Sequence, residues 1–243
     1  MDISGKNVDI FICPSQFVKN KMIEWGIDNK KLIVISHFVN LSKFEPNYEN
    51  QGYILYFGRL TEEKGVDVLL KAMKDFPKLK LKIIGEGPEK KSLESRILNL
   101  GLKNVEFLGY KAGNELRGLV RNSMFVVCPS ISYETFGLVV IEANALGKPV
   151  IASNIGALPE LIEEKKTGLL FSPGSTEELA KNIKYLIARP DEIREMGKLA
   201  RRRVEKEFNP ELHYQRLIEV YKCLAYYPGL TEMSRYANLI SSL

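Results

Sequence analysis

The 243-residue sequence predicts a doubly wound α/β fold, a parallel sheet with helices on both faces and extra helices at the C-terminal end. Three observations predict it. Short strand-like runs alternate with helical runs from Gly52 to Ala188. The strand runs are apolar almost throughout, as when helices cover both faces of a parallel sheet. Glycine-bearing turns with charged residues recur at their ends: Gly58-Arg59, Gly85-Glu86-Gly87, Gly109-Tyr110 and Ser130 to Gly137. In such sheets ligands bind beyond the carboxyl ends of the strands.

The elements follow in order. Asp9 to Cys13 reads as a short buried strand. Ser15 suits the N-cap of a helix from Gln16 to Trp25, which Gly26 closes. Lys31 to Ser36 is a second strand. From His37 to Gly52 the chain turns polar, with Pro46, Asn47 and Asn50, and reads as a linker and domain boundary. Tyr53 to Phe57 opens the regular region as a strand. Val66 to Lys74 is a helix with Val66, Leu69, Leu70 and Met73 on one face. Leu79 to Ile84 is a strand, Glu89 to Leu100 a helix, Val105 to Leu108 a strand and Asn114 to Arg121 a helix. Phe125 to Cys128, Pro149 to Ala152 and Gly168 to Phe171 are strands, with helices from Gly137 to Leu146 and from Leu158 to Ile162 between them. Thr176 is expected to cap a helix to Ala188, with Glu177 and Glu178 in its first turn. Pro190 to Phe208 and Pro210 to Ala225 are two further helices, each opening on a proline suited to a first turn. The tail from Tyr226 to Leu243 holds Pro228-Gly229 and a short final helix is expected there.

Composition narrows the function classes. Hydrophobic residues make up 45% and charged residues 27%, ordinary for a soluble protein. No apolar run approaches the roughly 20 residues of a membrane span, and no signal-peptide pattern opens the chain. A cytoplasmic protein is expected, with peripheral membrane contact left open. The three cysteines, Cys13, Cys128 and Cys223, are far apart, and the first two lie in apolar runs. That suits reduced, buried thiols. With His37 and His213 the two histidines, no metal site is expected. The net charge of +5 suits an anionic ligand, a nucleic acid or an acidic surface alike. Arg201-Arg202-Arg203 reads as a solvated helix face, and no nucleic-acid partner is expected.

The chemistry concentrates at the strand ends. Arg59 and Lys64 stand five positions apart in one strand-to-helix turn. Arg offers a planar fork for phosphate oxygens and Lys a point charge, so together they suit a diphosphate without a metal. Glu62 and Glu63 beside them allow the alternative of a neutralised surface pair. Gly85 begins a turn that is either a tight helix start or a close approach to a ligand. In the stretch Tyr133 to Ala143, Glu134 precedes a helix start near Phe136, Gly137 and Leu138, and Glu142 falls in its second turn. A helix start offers unpaired N–H groups and partial positive charge, which suit a phosphate. Both carboxylates are expected to face one pocket and to bind paired hydroxyls. A glycosidase-like carboxylate pair fits less well, because the cations would then have no role.

These residues carry a resemblance. Gly58-Arg59-Leu60 through Lys64-Gly65, Ile84 through Pro88, Val105 through Gly109, Pro129-Ser130 and the two glutamates Glu134 and Glu142 stand in one order. Ala145 through Val150, Gly156 through Glu160 and Thr167 through Phe171 continue it. The chain resembles, from Gly52 to Phe208, the C-terminal donor-binding domain of a family 4 (group 1) glycosyltransferase of the Rossmann-like GT-B fold. The resemblance implies a retaining hexosyltransferase with no cofactor or metal and with a UDP- or GDP-linked sugar as donor. It implies that Arg59 and Lys64 hold the diphosphate, that Glu134 contacts the sugar and that Glu142 binds the ribose. Phe136, Gly137 and Leu138 would offer backbone contacts, and Tyr110 and Lys111 would lie near the base. Glu134, Arg59 and Lys64 would serve catalysis.

Such enzymes have two domains of similar size. Residues 1–50 resemble only a remnant of the acceptor domain plus the linker, residues 51–208 the nucleotide-sugar domain, and residues 209–243 the final helices and tail. The chain is therefore expected to be weakly active or inactive alone, and the helix from Pro210 to be left without its packing partner. The acceptor is expected to be a glycan, a lipid or a small molecule. Alternatives are a non-catalytic binding module, the donor subunit of a split enzyme that works with an acceptor-domain subunit, and a sugar-nucleotide epimerase.

Overall fold

The computed structural model describes residues 8–226. Two parallel sheets organise them. The small one pairs β1 (Phe11–Cys13) with β2 (Leu32–Val34), joined through helix α1 (Gln16–Glu24). The large one holds six strands: β3 (Tyr53–Phe57), β4 (Lys80–Ile84), β5 (Val105–Gly109), β6 (Val126–Cys128), β7 (Val150–Ser153) and β8 (Gly168–Phe171). Helices α2 (Val66–Ala72), α3 (Lys90–Leu100), α4 (Gly113–Arg121) and α5 (Leu138–Ala145) connect the first five of these strands. Helices α6 (Thr176–Ile187), α7 (Pro190–Glu207) and α8 (Pro210–Tyr226) follow the last.

The strand order is β5-β4-β3-β6-β7-β8, with every pairing parallel. The expected doubly wound sheet is borne out. The chain runs outward from β3 to β5, then returns to the other side of β3 and runs outward again to β8. That reversal leaves a crevice at the carboxyl ends of β3 and β6.

Strand β3 shows how the sequence builds both layers. Ile54 and Tyr56 enter one core with Leu69 and Ile83, while Tyr53, Leu55 and Phe57 enter the other with Val126 and Val140. All five are at most 5% exposed. Burying a large apolar side chain contributes about 1.5–3 kcal/mol, so neither face of β3 tolerates a polar residue cheaply.

The turns beyond the strands are laced backbone to backbone. The Gly58 N–H donates to Ile84 O at 3.0 Å, and the Gly85 N–H to Gly109 O at 2.9 Å. Gly85 has φ +145, and a Cβ there would stand 1.8 Å from Gly58 O. Gly65 has φ +64, and its Cβ would stand 2.0 Å from Pro129 O. Only glycine fits either place. The first fixes the turn after β4 against the turn after β3. The second lets the turn carrying Lys64 lie on the turn after β6.

Several expectations need correction. Ser15 does cap α1, accepting from the Val18 N–H, but the cap of α6 is Ser175, which accepts from the Glu178 N–H. Thr176 is already helical, one residue inside the extended Ser175. The Leu158 region is a 3-10 turn (Leu158–Leu161), and α2 passes into another (Met73–Asp75). Helix α8 has a partner after all: Leu217 and Val220 pack with Ile10, Ile33 and Ile35 around the small sheet. The basic run is a solvated face only at Arg202. Arg201 donates to Phe44 O at 2.6 Å and Arg203 to Glu160 O at 2.7 Å, and their side chains are 12% and 14% exposed. Lys148 donates to Glu49 O at 2.7 Å, with burial pulling its ammonium down to about 8. Arg201 and Lys148 thus tie the segment from His37 to Gly52 to the large sheet's helices. Cys13 and Cys128 are buried as expected. The expected final helix in the tail lies outside the described residues.

Candidate functional site

A cavity of about 340 Å³ occupies the crevice between β3 and β6. The end of β3 supplies Arg59, and the 3-10 turn Glu62–Lys64 supplies Lys64. The loop after β6 supplies Ser130 and Glu134. Phe136, Gly137 and Leu138 line it from the N-terminus of α5, where Gly137 takes the left-handed N-cap conformation. Aligned peptide dipoles make that end of the helix favourable to negative charge.

The polar groups are already wired. Lys64 Nζ donates to Glu134 Oε1 at 2.6 Å, and Ser130 Oγ donates to the same oxygen at 2.6 Å. The Lys64 and Glu134 side chains are 31% and 17% exposed. The other carboxylate oxygen, Oε2, accepts nothing among the described residues and remains for an incoming hydroxyl. Arg59 is exposed, and its guanidinium makes no hydrogen bond or ion pair among the described residues. Its carbonyl accepts from the buried Tyr56 hydroxyl at 2.8 Å, which fixes its backbone. Arg59 and the Lys64–Glu134 pair thus place two cations on the same cavity, one of them without a carboxylate bonded to it. The Cys128 thiol behind them is pushed up to about 11, first by burial and then by the Glu134 charge. It stays protonated and serves as packing rather than as a nucleophile.

A second cavity of about 330 Å³ shares Phe57, Gly58 and Arg59 with the first and extends over β4 and β5. Gly85, Tyr110 and Lys111 line it. Tyr110 is 73% exposed, a free ring face for a flat partner. Lys111 pairs with Glu115 at 2.6 Å. Gly85 thus serves both readings at once, since it is sterically required and also faces the cavity.

Glu142 stands apart. It lies one turn into α5, below Leu138 on the same face, and lines neither cavity. It is half-buried, and its carboxylate makes no hydrogen bond or ion pair among the described residues. Burial raises its carboxyl above the usual range, with Arg117 pulling the other way. The two glutamates therefore do not share one pocket in this conformation.

Ser130 and His37 are among the cavity residues that lie outside the set chosen from the sequence. Ser130 had a usable signal, since it sits four positions before Glu134 in the same turn. His37 lines the first cavity, edge-on to Phe136 with ring centroids 5.1 Å apart. Burial and His213 lower its pKa. Nothing local in the sequence links it to Phe136. Among the described residues no cluster of His, Cys, Asp or Glu is placed to hold a metal ion, and no helix is long and apolar enough to cross a membrane.

The family described as "Glycosyl transferases group 1" matches residues 39–203. An uncharacterised glycosyltransferase of Methanocaldococcus jannaschii is 32% identical over 212 residues, which is 87% of this chain and 58% of that protein. The sulfoquinovosyl transferase of Arabidopsis thaliana is 36% identical over 69% of this chain and 32% of its own length. Anabaena HepE, solved in complex with UDP-glucose, superposes with a TM-score of 0.83 at 26% identity, over 89% of this chain and 64% of that one. The chain thus spans less than two thirds of each of these proteins. The family match covers the six-stranded sheet, every residue of the two cavities but His37, and most of α7, so the GT-B expectation for the fold is borne out and the chain belongs to the glycosyl transferases group 1 family.

Proposed function

We propose that this chain is the donor-binding half of a retaining family 4 glycosyltransferase. It takes a UDP- or GDP-linked hexose for transfer to an acceptor glycan, lipid or small molecule. The observation that carries the reading is the convergence of Arg59, Lys64, Glu134 and the α5 N-terminus on one cavity at the sheet's switch point. Arg59, Lys64 and the N–H groups from Phe136 to Leu138 hold the diphosphate. Glu134 Oε2 takes a sugar hydroxyl. Gly85, Tyr110 and Lys111 surround the base, and Glu142 takes the ribose hydroxyls once it is offered them. Fixed cations and aligned dipoles offset charge on the departing diphosphate as the sugar gains oxocarbenium character. That chemistry calls on no metal or cofactor.

On this reading residues 51–208 form the nucleotide-sugar domain, residues 1–50 the end of an acceptor domain with its linker, and residues 209–243 the final helices and tail. The enzyme works in the cytoplasm, with any membrane contact peripheral. Calorimetry with UDP, GDP and their hexose conjugates tests the donor site: one pair binds, and Lys64→Ala weakens it at least tenfold. Binding of neither pair defeats the reading. Alone, the chain transfers sugar slowly or not at all, and robust transfer to an acceptor overturns that part. The alternative of a binding module or split-enzyme subunit draws on the exposure of Ile12, Ile23 and Trp25 beside the small sheet. Activity that returns only on mixing with a separate acceptor subunit marks the split enzyme.

A further inference from the structure

We infer that Ser15 is a positioning residue for Glu134, so that the N-terminal segment sets the sugar end of the site. This inference rests on the donor-binding reading above. Ser15 is 1% exposed at the N-cap of α1, and its hydroxyl works twice. The oxygen accepts from the Val18 N–H at 3.1 Å, and the O–H donates to Thr135 O at 2.7 Å. Capping requires only the acceptor. The second bond is surplus to the helix, and it ends on the residue after Glu134, 120 positions away.

The glutamate loop is held from three sides. Ser15 takes the Thr135 carbonyl. The Glu134 carbonyl accepts from the Ala157 N–H at 2.9 Å. Lys64 and Ser130 take the carboxylate. Phe17 of α1 adds a ring contact to Tyr133, with centroids 5.0 Å apart. Helix α1 is itself anchored, since the two Glu160 carboxylate oxygens accept from the Gln16 and Phe17 N–H groups at 2.9 and 2.6 Å. A carboxylate at a helix N-terminus is also electrostatically favoured. The start of α1 is therefore a fixed post to which the loop is tied. Arg59 and the turn carrying Lys64 come from β3 and make no bond to α1. Cutting the tie frees the Glu134 sugar contact and, of the diphosphate contacts, only the adjoining Phe136 N–H, while Arg59 and Lys64 keep their places.

The test compares three variants of the full chain. Ser15→Ala removes cap and tether. Ser15→Gly removes the tether but keeps a residue that is nearly as good an N-cap, so it carries the test if the alanine variant fails to fold. Ser15→Thr keeps both bonds. Calorimetry reads UDP against UDP-glucose, with GDP against GDP-mannose as a second pair. For whichever pair the unaltered chain binds, Ser15→Ala and Ser15→Gly are expected to weaken the sugar nucleotide about fivefold. The free diphosphate changes less than about twofold, and Ser15→Thr restores the original ratio. An unchanged ratio in Ser15→Gly, or equal losses for diphosphate and sugar nucleotide, overturns the assignment. Failure of the unaltered chain to bind either pair instead defeats the donor-binding reading, and this inference falls with it.

Discussion

Glu134 and Glu142 stand eight positions apart and meet opposite surroundings. Glu134 sits in a loop, and one of its oxygens takes both the Lys64 ammonium and the Ser130 hydroxyl. Glu142 sits within α5, half-buried, with no donor and with its carboxyl held up by burial. The first is a finished piece of the protein before any ligand arrives. The second is a carboxylate with no hydrogen-bonded partner among the described residues, only the attraction of Arg117. An ionisable group buried without a partner costs stability, and such a cost is tolerated where a ligand later supplies the partner. The difference separates a residue positioned by the fold from one completed by binding.

The largest expected effect falls on the finished side. Lys64→Ala leaves the Glu134 charge, 17% exposed, with a single hydroxyl donor. Removing one partner of a largely buried pair is more damaging than losing a surface bridge, although the partial exposure of Lys64 reduces it. A loss of about 1–2 kcal/mol in urea unfolding is expected. Calorimetry should show nucleoside diphosphate binding at least tenfold weaker, about 1.4 kcal/mol. If stability and binding both survive, Glu134 is no more committed than Glu142.

Glu142→Gln probes the other side and carries the opposite sign for stability. The folded Glu142 carboxyl lies above its unfolded value, with burial as the first cause. Its contribution is fully present below the unfolded value of about 4.3 and is lost as pH rises through the folded value. At neutral pH the charged group is thus a net cost. The glutamine variant should be more stable by about 1 kcal/mol at neutral pH, with the difference vanishing in acid. The same change removes the acceptor proposed for the ribose hydroxyls, so nucleotide binding should weaken about tenfold. A variant that is both less stable and unaffected in binding would reverse the comparison.

The sequence made one side of this contrast more legible than the other. Apolar runs and strand-end glycines announced the sheet, because both follow from local rules: burial on two faces and turns that exclude a Cβ. The cations followed, since Arg59 and Lys64 belong to one such turn. The depth of Glu142 did not follow. Spacing along a helix places it under Leu138 but does not say how far the wall of the cavity reaches. Long-range partners were hidden for a related reason. The bond from Ser15 to Thr135 and the approach of His37 to Phe136 arise from how α1 and the linker fold back. Arg201 and Arg203 misled because charge alone suggested water, while backbone carbonyls of Phe44 and Glu160 waited beside α7.

The smallest expected effect divides the finished side into its two parts. Ser130 is 1% exposed and lies between Cys128, at 3.9 Å, and the Glu134 carboxylate, at 2.6 Å. Ser130→Ala removes one neutral donor and leaves the ion pair intact. A hydrogen bond to a charged group contributes about 1.5–3 kcal/mol, but Lys64 keeps the same oxygen paired, so unfolding should shift by about 1 kcal/mol. Affinity for the sugar nucleotide should fall about threefold in calorimetry, with the free diphosphate unchanged because Arg59 and Lys64 keep their places. A loss as large as that of Lys64→Ala would mean that the hydroxyl, not the ammonium, fixes the carboxylate. The charge on Lys64 would then belong wholly to the diphosphate, and Glu134 would owe its readiness to a neutral bond within its own loop.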